Sequence, residues 1–395
     1  MKVVALHTDF RLYWPARLKR LEYSLKKRGD QLIVIEIAGK GSPYAFAESS
    51  DTSDLHWVCL FPEEEMECIS PSKAKEEAMA ELNKQNPDIV LSGSFAFPSG
   101  AAAVCWAKKN NKPVVIFDDS KISDVKRGWV TNCVKKVFYA HIDAILCPSS
   151  DWNDTFKYWG FKNDAIFYGV DVVDNTFWSA EERHQGNLPS KFLLAVGRQI
   201  ERKNFQRLIV AFDKLYQGNP TCDIDLILVG KGPEQESLKA QIRPGLQSHV
   251  HFYPFQSQQN LRLFYQKALA FVMPSLQEQW GLVVNEAMAS GLPIIISKQC
   301  GCAETLVKNE INGFVFDAYS MDELTSAFEK IVNLSSIEIE TMRNNSLEII
   351  KEWGLERFSF GAMDAINYAL TNKRKKFYLL SKYLLKKWTG KYNIG

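Results

Sequence analysis

Residues 278–293 read Glu-Gln-Trp-Gly-Leu-Val-Val-Asn-Glu-Ala-Met-Ala-Ser-Gly-Leu-Pro. An apolar run over 270–273 precedes this stretch, and a second one follows over 294–297, so both predict buried strands. A helix is expected to begin near Gly281 and to end at Gly291, because glycine closes helices and the proline two residues later cannot continue one. The stretch therefore predicts a strand–loop–helix–strand unit of a parallel sheet.

Two carboxylates stand at informative places in this unit. Glu278 falls on the loop at a strand's C-terminal end, and Glu286 lies about one turn into the helix. Both can face one crevice above the sheet, where open α/β folds bind ligands. Backbone N–H groups near Gly281, at the positive end of the helix, would suit a phosphate. The spacing alone also fits two solvated surface glutamates.

Length and composition indicate a globular protein of two domains. The chain has 395 residues and is therefore longer than most chains that fold around a single hydrophobic core. Hydrophobic residues make up 46% and charged residues 24%, which excludes a disordered chain. The net charge of +2 gives no general attraction to nucleic acid.

Cysteine usage and hydropathy indicate a cytoplasmic setting. The eight cysteines are scattered without zinc-ligand spacing, so we expect reduced thiols and no metal site. A strand from the first residues predicts no signal peptide. No run reaches the ~18 apolar residues needed to cross a bilayer.

The N-terminal half alternates between short apolar runs and helical patterns. This alternation predicts parallel βαβ units and a doubly wound sheet. The predicted strands cover 3–7, 32–37, 89–91, 114–117 and 144–147, and the predicted helices include 99–108 and 129–141.

Loops after three of these strands carry candidate N-domain contacts, since ligands meet such sheets at strand C-termini. The candidates are Asp9, Ser94, Asp118 and Asp119. The adjacent carboxylates of Asp118 and Asp119, next to Lys121 and Arg127, could equally form a helix N-cap with a solvated ion pair.

The C-terminal half begins after a polar linker over 172–190 and a predicted strand over 192–196. Arg198 and Lys203 then lie on a strand–loop–helix connection, where a guanidinium fork and an ammonium group can converge on a diphosphate. The alternative is a solvated basic loop, since other arginines lie nearby. Further strands are predicted over 224–229 and 250–253.

Taken together, these motifs resemble those of family 4 glycosyltransferases. Residues 278–293 are similar to the family signature Glu-x-x-Gly-Leu-x-x-x-Glu-Ala-Met-Ala-x-Gly-x-Pro, 197–203 to Gly-Arg-x4-Lys, and 230–233 to Gly-x-Gly-Pro. The resemblance is strong over 190–330. It is moderate over 110–178, where the chain resembles bacterial polysaccharide-assembly members, and weak before residue 90.

The resemblance implies a GT-B fold, in which two Rossmann-like doubly wound parallel-sheet domains face a cleft. It implies an acceptor-side domain over 1–175 and a nucleotide-sugar domain over 176–370. The expected enzyme is a retaining, metal-independent glycosyltransferase with a UDP- or GDP-sugar co-substrate and no other cofactor. The expected acceptor is a glycan or lipid-linked saccharide of bacterial surface polysaccharide synthesis.

The same resemblance assigns roles to individual residues. Arg198 and Lys203 would hold the donor diphosphate, Glu278 the donor sugar and Glu286 the ribose. The further donor-binding residues would be Gly197, Gly281, Leu282, Val283 and Phe255, the last on the loop where the nucleobase tends to lie. In one respect the chain departs from the family: many members carry a histidine that contacts the donor sugar just after the strand equivalent to 114–117, whereas this chain has Asp118 and Asp119. Either an aspartate takes that contact or the site is built differently.

The tail, 371–395, is basic and contains no acidic residue. Leu380, Leu384 and Trp388 recur every four residues after Phe377, which predicts a basic amphipathic helix. Such a helix could lie peripherally on an anionic membrane surface at the inner membrane face, or dock across the two domains with its lysines solvated.

Two other functions fit the sequence less well. A catalytically silent GT-B protein could bind a sugar nucleotide or assist a partner enzyme, although an intact motif set argues against it. A GT-B epimerase is the third candidate, and enzymes of that kind lack the paired Arg198/Lys203 and Glu278/Glu286 set.

Overall fold

The computed structural model describes residues 1–41, 52, 54–181, 188–219, 221–373 and 379–392. The chain divides into two compact units. The first comprises Met1–Val172 and Leu355–Gly395, and the second comprises Val173–Gly354.

In the described residues the first unit is built on seven parallel strands, in the order β3-β2-β1-β4-β5-β6-β7. Chain order runs outward from β1 to one edge and from β4 to the other, as in a Rossmann sheet. The strands are β1 (Lys2–His7), β2 (Gln31–Glu36), β3 (Trp57–Cys59), β4 (Ile89–Ser92), β5 (Val114–Phe117), β6 (Ala144–Cys147) and β7 (Ile166–Tyr168).

Helices connect these strands, as parallel pairing requires. They are α1 (Trp14–Lys26), α2 (Pro71–Gln85), α3 (Pro98–Lys109), α4 (Trp129–Tyr139) and α5 (Asn153–Tyr158). Proline stands in the first turn of the first three, where its missing N–H costs no hydrogen bond.

The second unit repeats the same topology with six parallel strands among the described residues, in the order β10-β9-β8-β11-β12-β13. The strands are β8 (Phe192–Val196), β9 (Asp225–Val229), β10 (Val250–Tyr253), β11 (Ala270–Met273), β12 (Ile294–Ser297) and β13 (Gly313–Phe316). The helices of this unit are α6 (Asn175–Ser179), α7 (Phe205–Gly218), α8 (Gln235–Ala240), α9 (Gln258–Lys267), α10 (Leu282–Ala289), α11 (Ala303–Leu306), α12 (Met321–Asn333) and α13 (Ser336–Lys351).

Buried side chains explain why these runs form strands. Three of the central strands, β8, β9 and β11, bury apolar side chains on both faces, which is typical of parallel sheets covered by helices. One face of this sheet packs with α7 and α12, whose apolar stripes contribute residues such as Phe212 and Phe328. The core of each unit is therefore formed by a sheet and its own helices.

The final long helix, α14 (Leu355–Thr371), corrects the predicted domain limits. The prediction placed it in the domain over 176–370, but it packs in the first unit. Phe358, Ala362 and Ile366 are buried in the same core cluster as Leu18 and Leu21 of α1. The prediction failed here because a helix's periodicity shows that it has an apolar face but not which sheet that face covers.

The described part of the tail forms helix α15 (Leu379–Lys387), which docks on the first unit. Lys75 donates to the terminal carbonyl oxygens of Leu385 (2.8 Å) and Lys386 (3.1 Å), and it also reaches the carbonyl oxygen of Trp388 (2.7 Å). The Trp388 indole donates to the Phe95 carbonyl oxygen at 2.8 Å. The described part of the tail is thus docked on the first unit, whereas the predicted alternative had it docked across the two domains. Phe377 lies outside the described residues.

Nothing in the described chain is a helix both long and apolar enough to cross a membrane.

Candidate functional site

The carboxyl ends of β8 and β11 adjoin each other in the middle of the second sheet, where the strand order changes direction. Crevices at such switch points are the usual ligand sites of open α/β sheets. The loop 197–204 leaves β8 and the loop 274–281 leaves β11, so both predicted donor motifs start at this point.

An ion pair joins the two loops. The Lys203 ammonium contacts Oε2 of Glu278, and the two side chains are only 15% and 17% exposed. The Glu278 backbone is held as well, because its carbonyl oxygen accepts from the N–H of Gly301 at 2.9 Å. The structure thus brings together two predicted site residues that are distant in sequence.

Asn204 fixes the loop that carries the cation, and sequence analysis gave it no role. Its backbone is left-handed (φ 59°), a conformation that asparagine tolerates better than most residues. Its buried side-chain amide donates to the carbonyl oxygens of Pro274 (3.0 Å) and Ala318 (3.2 Å). A backbone bond from Leu276 to Arg202 at 2.8 Å adds to this connection. The only sequence signal for this role of Asn204 is its position directly before a predicted helix.

The loops after β8 and β9 also lie against each other. A Cβ at Gly230 would lie 2.1 Å from the Gly197 carbonyl oxygen, so only glycine permits this approach. The N–H of Gln199 donates to the Lys231 carbonyl oxygen at 3.0 Å. The Arg198 side chain is exposed on this connection, where a diphosphate could reach it.

Helix α10 begins at the predicted glycine. Gly281 has φ 109°, and a Cβ there would lie 2.8 Å from the Met273 methyl carbon, so a side chain would be strained and crowded. Leu282 and Val283 form the first turn and are partly exposed. The first N–H groups of the helix lack intrahelical acceptors, which suits an anion.

The second carboxylate has a different environment from the first. Glu286 is 2% exposed and its Oε2 accepts from the Tyr265 hydroxyl of α9 at 2.7 Å. Trp178 packs edge-on against the Tyr265 ring. The predicted pair of carboxylates therefore consists of one that faces a lysine and one that is buried beside a tyrosine.

Phe255 lies on the loop after edge strand β10 and is 42% exposed. An exposed aromatic ring at the carboxyl edge of the sheet can stack on a nucleobase.

Two candidates of the first unit make local contacts. Asp9 is buried and accepts from Arg11, with Oδ2 at 2.9 Å from Nε and 2.5 Å from Nη2. The structure thus places Asp9 in a buried ion pair with Arg11. Ser94 is partly buried, and its hydroxyl accepts weakly from the Ala96 N–H at 3.5 Å.

The other two candidates follow β5. Asp118 is buried and accepts from the Tyr139 hydroxyl at 3.0 Å and the Ser120 hydroxyl at 2.6 Å. Burial and the neighbouring Asp171 raise the pKa of Asp119 well above its ordinary value. Asp119 is therefore harder to deprotonate than an ordinary aspartate, whereas Asp118 accepts a further hydrogen bond from the Ser120 N–H at 3.0 Å.

His7 supplies a histidine beside Phe117 that sequence analysis missed. It ends β1, and its ring centroid lies 5.1 Å from that of Phe117 and 5.6 Å from that of Trp14. Buried Nδ1 faces Gly93, where a Cβ would lie 2.4 Å away, and it has no hydrogen-bond partner among the described residues. Only the fold reveals this proximity, because β4 separates β1 from β5 in the sheet.

Burial lowers the pKa of His7 to about 3, and this predicts a pH effect on stability. The folded protein resists protonation of His7, whereas the unfolded chain protonates near pH 6.5, so His7 lowers stability as pH falls from about 6.5 towards 3. We expect the Tm of His7→Phe to fall less than that of the wild type between pH 7 and pH 4. Parallel Tm curves measured by circular dichroism would contradict this assignment.

Among the described residues, no three His, Cys, Asp or Glu side chains are grouped as metal ligands would be. The described cysteines are all free. Burial raises the pKa of Cys300, next to the Lys203–Glu278 pair, to about 12, so its thiol is inert near neutral pH.

Comparison with known proteins identifies the second unit. Residues 177–348 match the family described as Glycosyl transferases group 1. They form a group 1 glycosyltransferase domain, which confirms the predicted enzyme class for this part of the chain.

Two relatives illustrate the range of the similarity. An uncharacterized glycosyltransferase of Haemophilus influenzae is 28% identical over 229 residues, 58% of this chain and 60% of that protein. The UDP-Gal:alpha-D-GlcNAc-diphosphoundecaprenol alpha-1,3-galactosyltransferase of Escherichia coli is 27% identical over 298 residues, 68% of this chain and 74% of that protein. The chain spans 36% to 60% of the length of the first three curated relatives it matches.

The fold is also that of solved glycosyltransferase structures. HepE of Anabaena, in complex with UDP and glucose, superposes with a TM-score of 0.70 at 18% identity, covering 93% of this chain and 99% of that chain. With its two parallel-sheet α/β domains, the chain has the predicted GT-B fold class.

Proposed function

We propose that this chain is a retaining, metal-independent glycosyltransferase of family 4. It moves a sugar from a UDP- or GDP-sugar to a glycan or lipid-linked saccharide in bacterial surface polysaccharide synthesis. The observation that carries the proposal is the contact between Lys203 and Glu278 at the switch point of the group 1 domain.

The leaving diphosphate needs positive charge as the bond to the sugar breaks. Arg198 offers an exposed guanidinium on the loop after β8, and Lys203 is held on the same loop by its ion pair. The N–H groups at the start of α10, after Gly281, add a third source of positive potential. Fixed cations and amide dipoles can stabilise the developing charge without reorganising, so no bound metal is required.

The sugar and the ribose of the donor need hydrogen-bond acceptors, and its base needs a flat surface on which to stack. Glu278 would accept from hydroxyls of the transferred sugar, and its contact with Lys203 keeps both groups oriented before binding. Glu286 would accept from the ribose hydroxyls, which requires local opening at this buried carboxylate. The exposed ring of Phe255 would stack on the base.

Retention follows if the acceptor hydroxyl attacks the face from which the diphosphate leaves. We therefore assign no protein nucleophile. On the acceptor side, we propose His7 and Asp119 as hydrogen-bonding groups at the carboxyl edge of the first sheet. Burial lowers the pKa of His7 to about 3, so its ring is uncharged near neutral pH, and burial also raises the pKa of Asp119.

A relative supports the acceptor class. The Escherichia coli relative acts, by its name, on a sugar linked to diphosphoundecaprenol. With a lipid-linked acceptor, the transfer reaction would take place at the inner membrane face, in keeping with the predicted cytoplasmic and peripheral location.

A donor screen tests the proposal. A ligand at 100 times its dissociation constant stabilises the folded state by about 2.7 kcal/mol, so one UDP- or GDP-sugar should raise the Tm measurably. The best donor is then incubated with labelled saccharide acceptors in the presence of a chelator, and the anomeric configuration of the product is read by NMR. Retention without metal is expected. Donor binding without transfer to any acceptor would favour the catalytically silent protein, and an inverted product would contradict the mechanism.

A further inference from the structure

The first unit carries an apolar surface that its own core leaves uncovered. We call it the α4 patch: Val125 (43% exposed), Trp129 (77%), Val130 (55%) and Tyr158 (41%). Three of these residues lie at the start of α4 or just before it. Tyr158 is the last residue of α5 and lies beside α4, since the Lys136 ammonium is 4.2 Å from its ring centroid.

The helix that carries the patch is amphipathic. Phe138 and Tyr139 bury the inner face of α4, and Phe138 stacks on Phe95 at 4.9 Å. Trp129 and Lys136 are seven residues apart, about two turns, so they share the outer face. This outer face therefore presents apolar and basic groups to the solvent.

The α4 segment, which carries three of the four patch residues, has charge of one sign, whereas on α5 the exposed Asp154 stands four residues before Tyr158 and lies 3.9 Å from Lys157. Residues 125–142 include four lysines and arginines and no aspartate or glutamate. The flanking acids are engaged elsewhere, since Asp124 accepts from the Lys121 N–H at 2.6 Å and Asp143 accepts from the Val114 N–H at 2.9 Å. An apolar surface inside a basic border complements an anionic lipid headgroup layer, and exposed tryptophan suits the interface of a bilayer.

We propose that the α4 patch is the surface by which this chain binds anionic lipid bilayers. Trp129 and Val130 insert among the headgroups, while Lys126 and Lys136 contact lipid phosphates. The inference does not rest on the proposed transfer reaction, although it would bring the chain to a lipid-linked acceptor.

The patch is a better membrane surface than the described tail helix. Leu385 of α15 is buried, and the Trp388 indole is bonded to the first unit, so these tail residues are already occupied. Among the side chains of this helix that the structure describes, the exposed ones are Lys382, Tyr383 (61%), Lys386 and Lys387. Lysines alone attract anionic lipid but insert little apolar surface.

Vesicle co-sedimentation of the full chain tests the assignment, with phosphatidylcholine vesicles made with and without phosphatidylglycerol. We expect the wild type to pellet with the anionic vesicles. The double variant Trp129→Ser/Val130→Ser should bind at least about tenfold more weakly, a difference of about 1.4 kcal/mol. Matched controls are Ile337→Ser and Phe360→Ser, which remove apolar side chains that are 80% and 63% exposed elsewhere and should leave binding unchanged.

Four outcomes would overturn the proposal. If the double variant bound the vesicles as the wild type does, the patch would not be the lipid-binding surface. If the wild type did not pellet with the anionic vesicles, the chain would not bind such bilayers. Conversion of a wild-type dimer into a monomer by the double variant, without lipid binding, would make the patch an interface between copies. A further variant, Lys386→Glu/Lys387→Glu, addresses the tail: it should retain most binding, whereas loss of binding only in this variant would assign the contact to α15. Circular dichroism confirms that each variant is folded.

Discussion

Replacing Lys203 with methionine is expected to lower kcat/KM for sugar transfer by about two to three orders of magnitude. Methionine keeps most of the aliphatic stem that lies near Gly197, but it removes the charge that would meet the diphosphate in the transition state. Loss of one such preorganised contact typically costs about 2.7–4 kcal/mol. Steady-state kinetics with the donor identified by the screen would measure the effect.

The ion pair complicates this experiment, because Lys203→Met also leaves Glu278 without its cation. The double variant Lys203→Met/Glu278→Gln removes that unpaired charge. If Lys203 served only to neutralise the carboxylate, the double variant would recover activity; we expect no recovery, since both groups would contact the donor. Arg202→Met is the matched control, because this neighbouring arginine is exposed and should change kcat/KM by less than about twofold.

The second large effect is expected at the ribose contact. Glu286→Gln should raise the KM for the donor about 10- to 100-fold, because a hydrogen bond to a charged group contributes about 1.5–3 kcal/mol. Glutamine is preferable to alanine here, since its amide oxygen still accepts from the buried Tyr265 hydroxyl, which alanine would leave unpaired. Donor-dependence curves at saturating acceptor would give KM and kcat separately.

Two further variants show whether the charge or the packing matters. Tyr265→Phe keeps the ring against Trp178 and removes the hydroxyl's bonds to the Glu286 carboxylate and to the Val283 carbonyl oxygen (3.4 Å), so we expect a smaller KM change than for Glu286→Gln. Glu329→Gln, on the exposed surface of α12, should leave KM unchanged. An unaltered KM and kcat in Glu286→Gln would withdraw the ribose assignment.

Buried strands were the part of the fold that the sequence predicted best. The bounds of 114–117, 144–147, 192–196, 250–253 and 270–273 agree with the observed strands. These strands are mostly covered on both faces, so each appears as an apolar run closed by polar residues. β3 and β7 were not predicted, because each is a three-residue edge strand with few buried side chains.

The candidate site was predictable in its residues but not in its pairing. Motif positions indicated Lys203 and Glu278, yet only the sheet topology shows that their loops leave adjacent strands. Side-chain packing determines two further contacts, one between Asp9 and Arg11 and one between His7 and Phe117. The hydrophobic periodicity of the sequence does not predict such packing.

The central claim is that the cations after β8 bind the donor's diphosphate. Calorimetric titration of UDP and GDP into the wild type and into Arg198→Met/Lys203→Met tests it most directly, with Arg202→Met as the control. We expect one nucleotide to bind the wild type and the control alike, and to bind the double variant at least about 100-fold more weakly. Equal affinity for the wild type and the double variant would contradict the account.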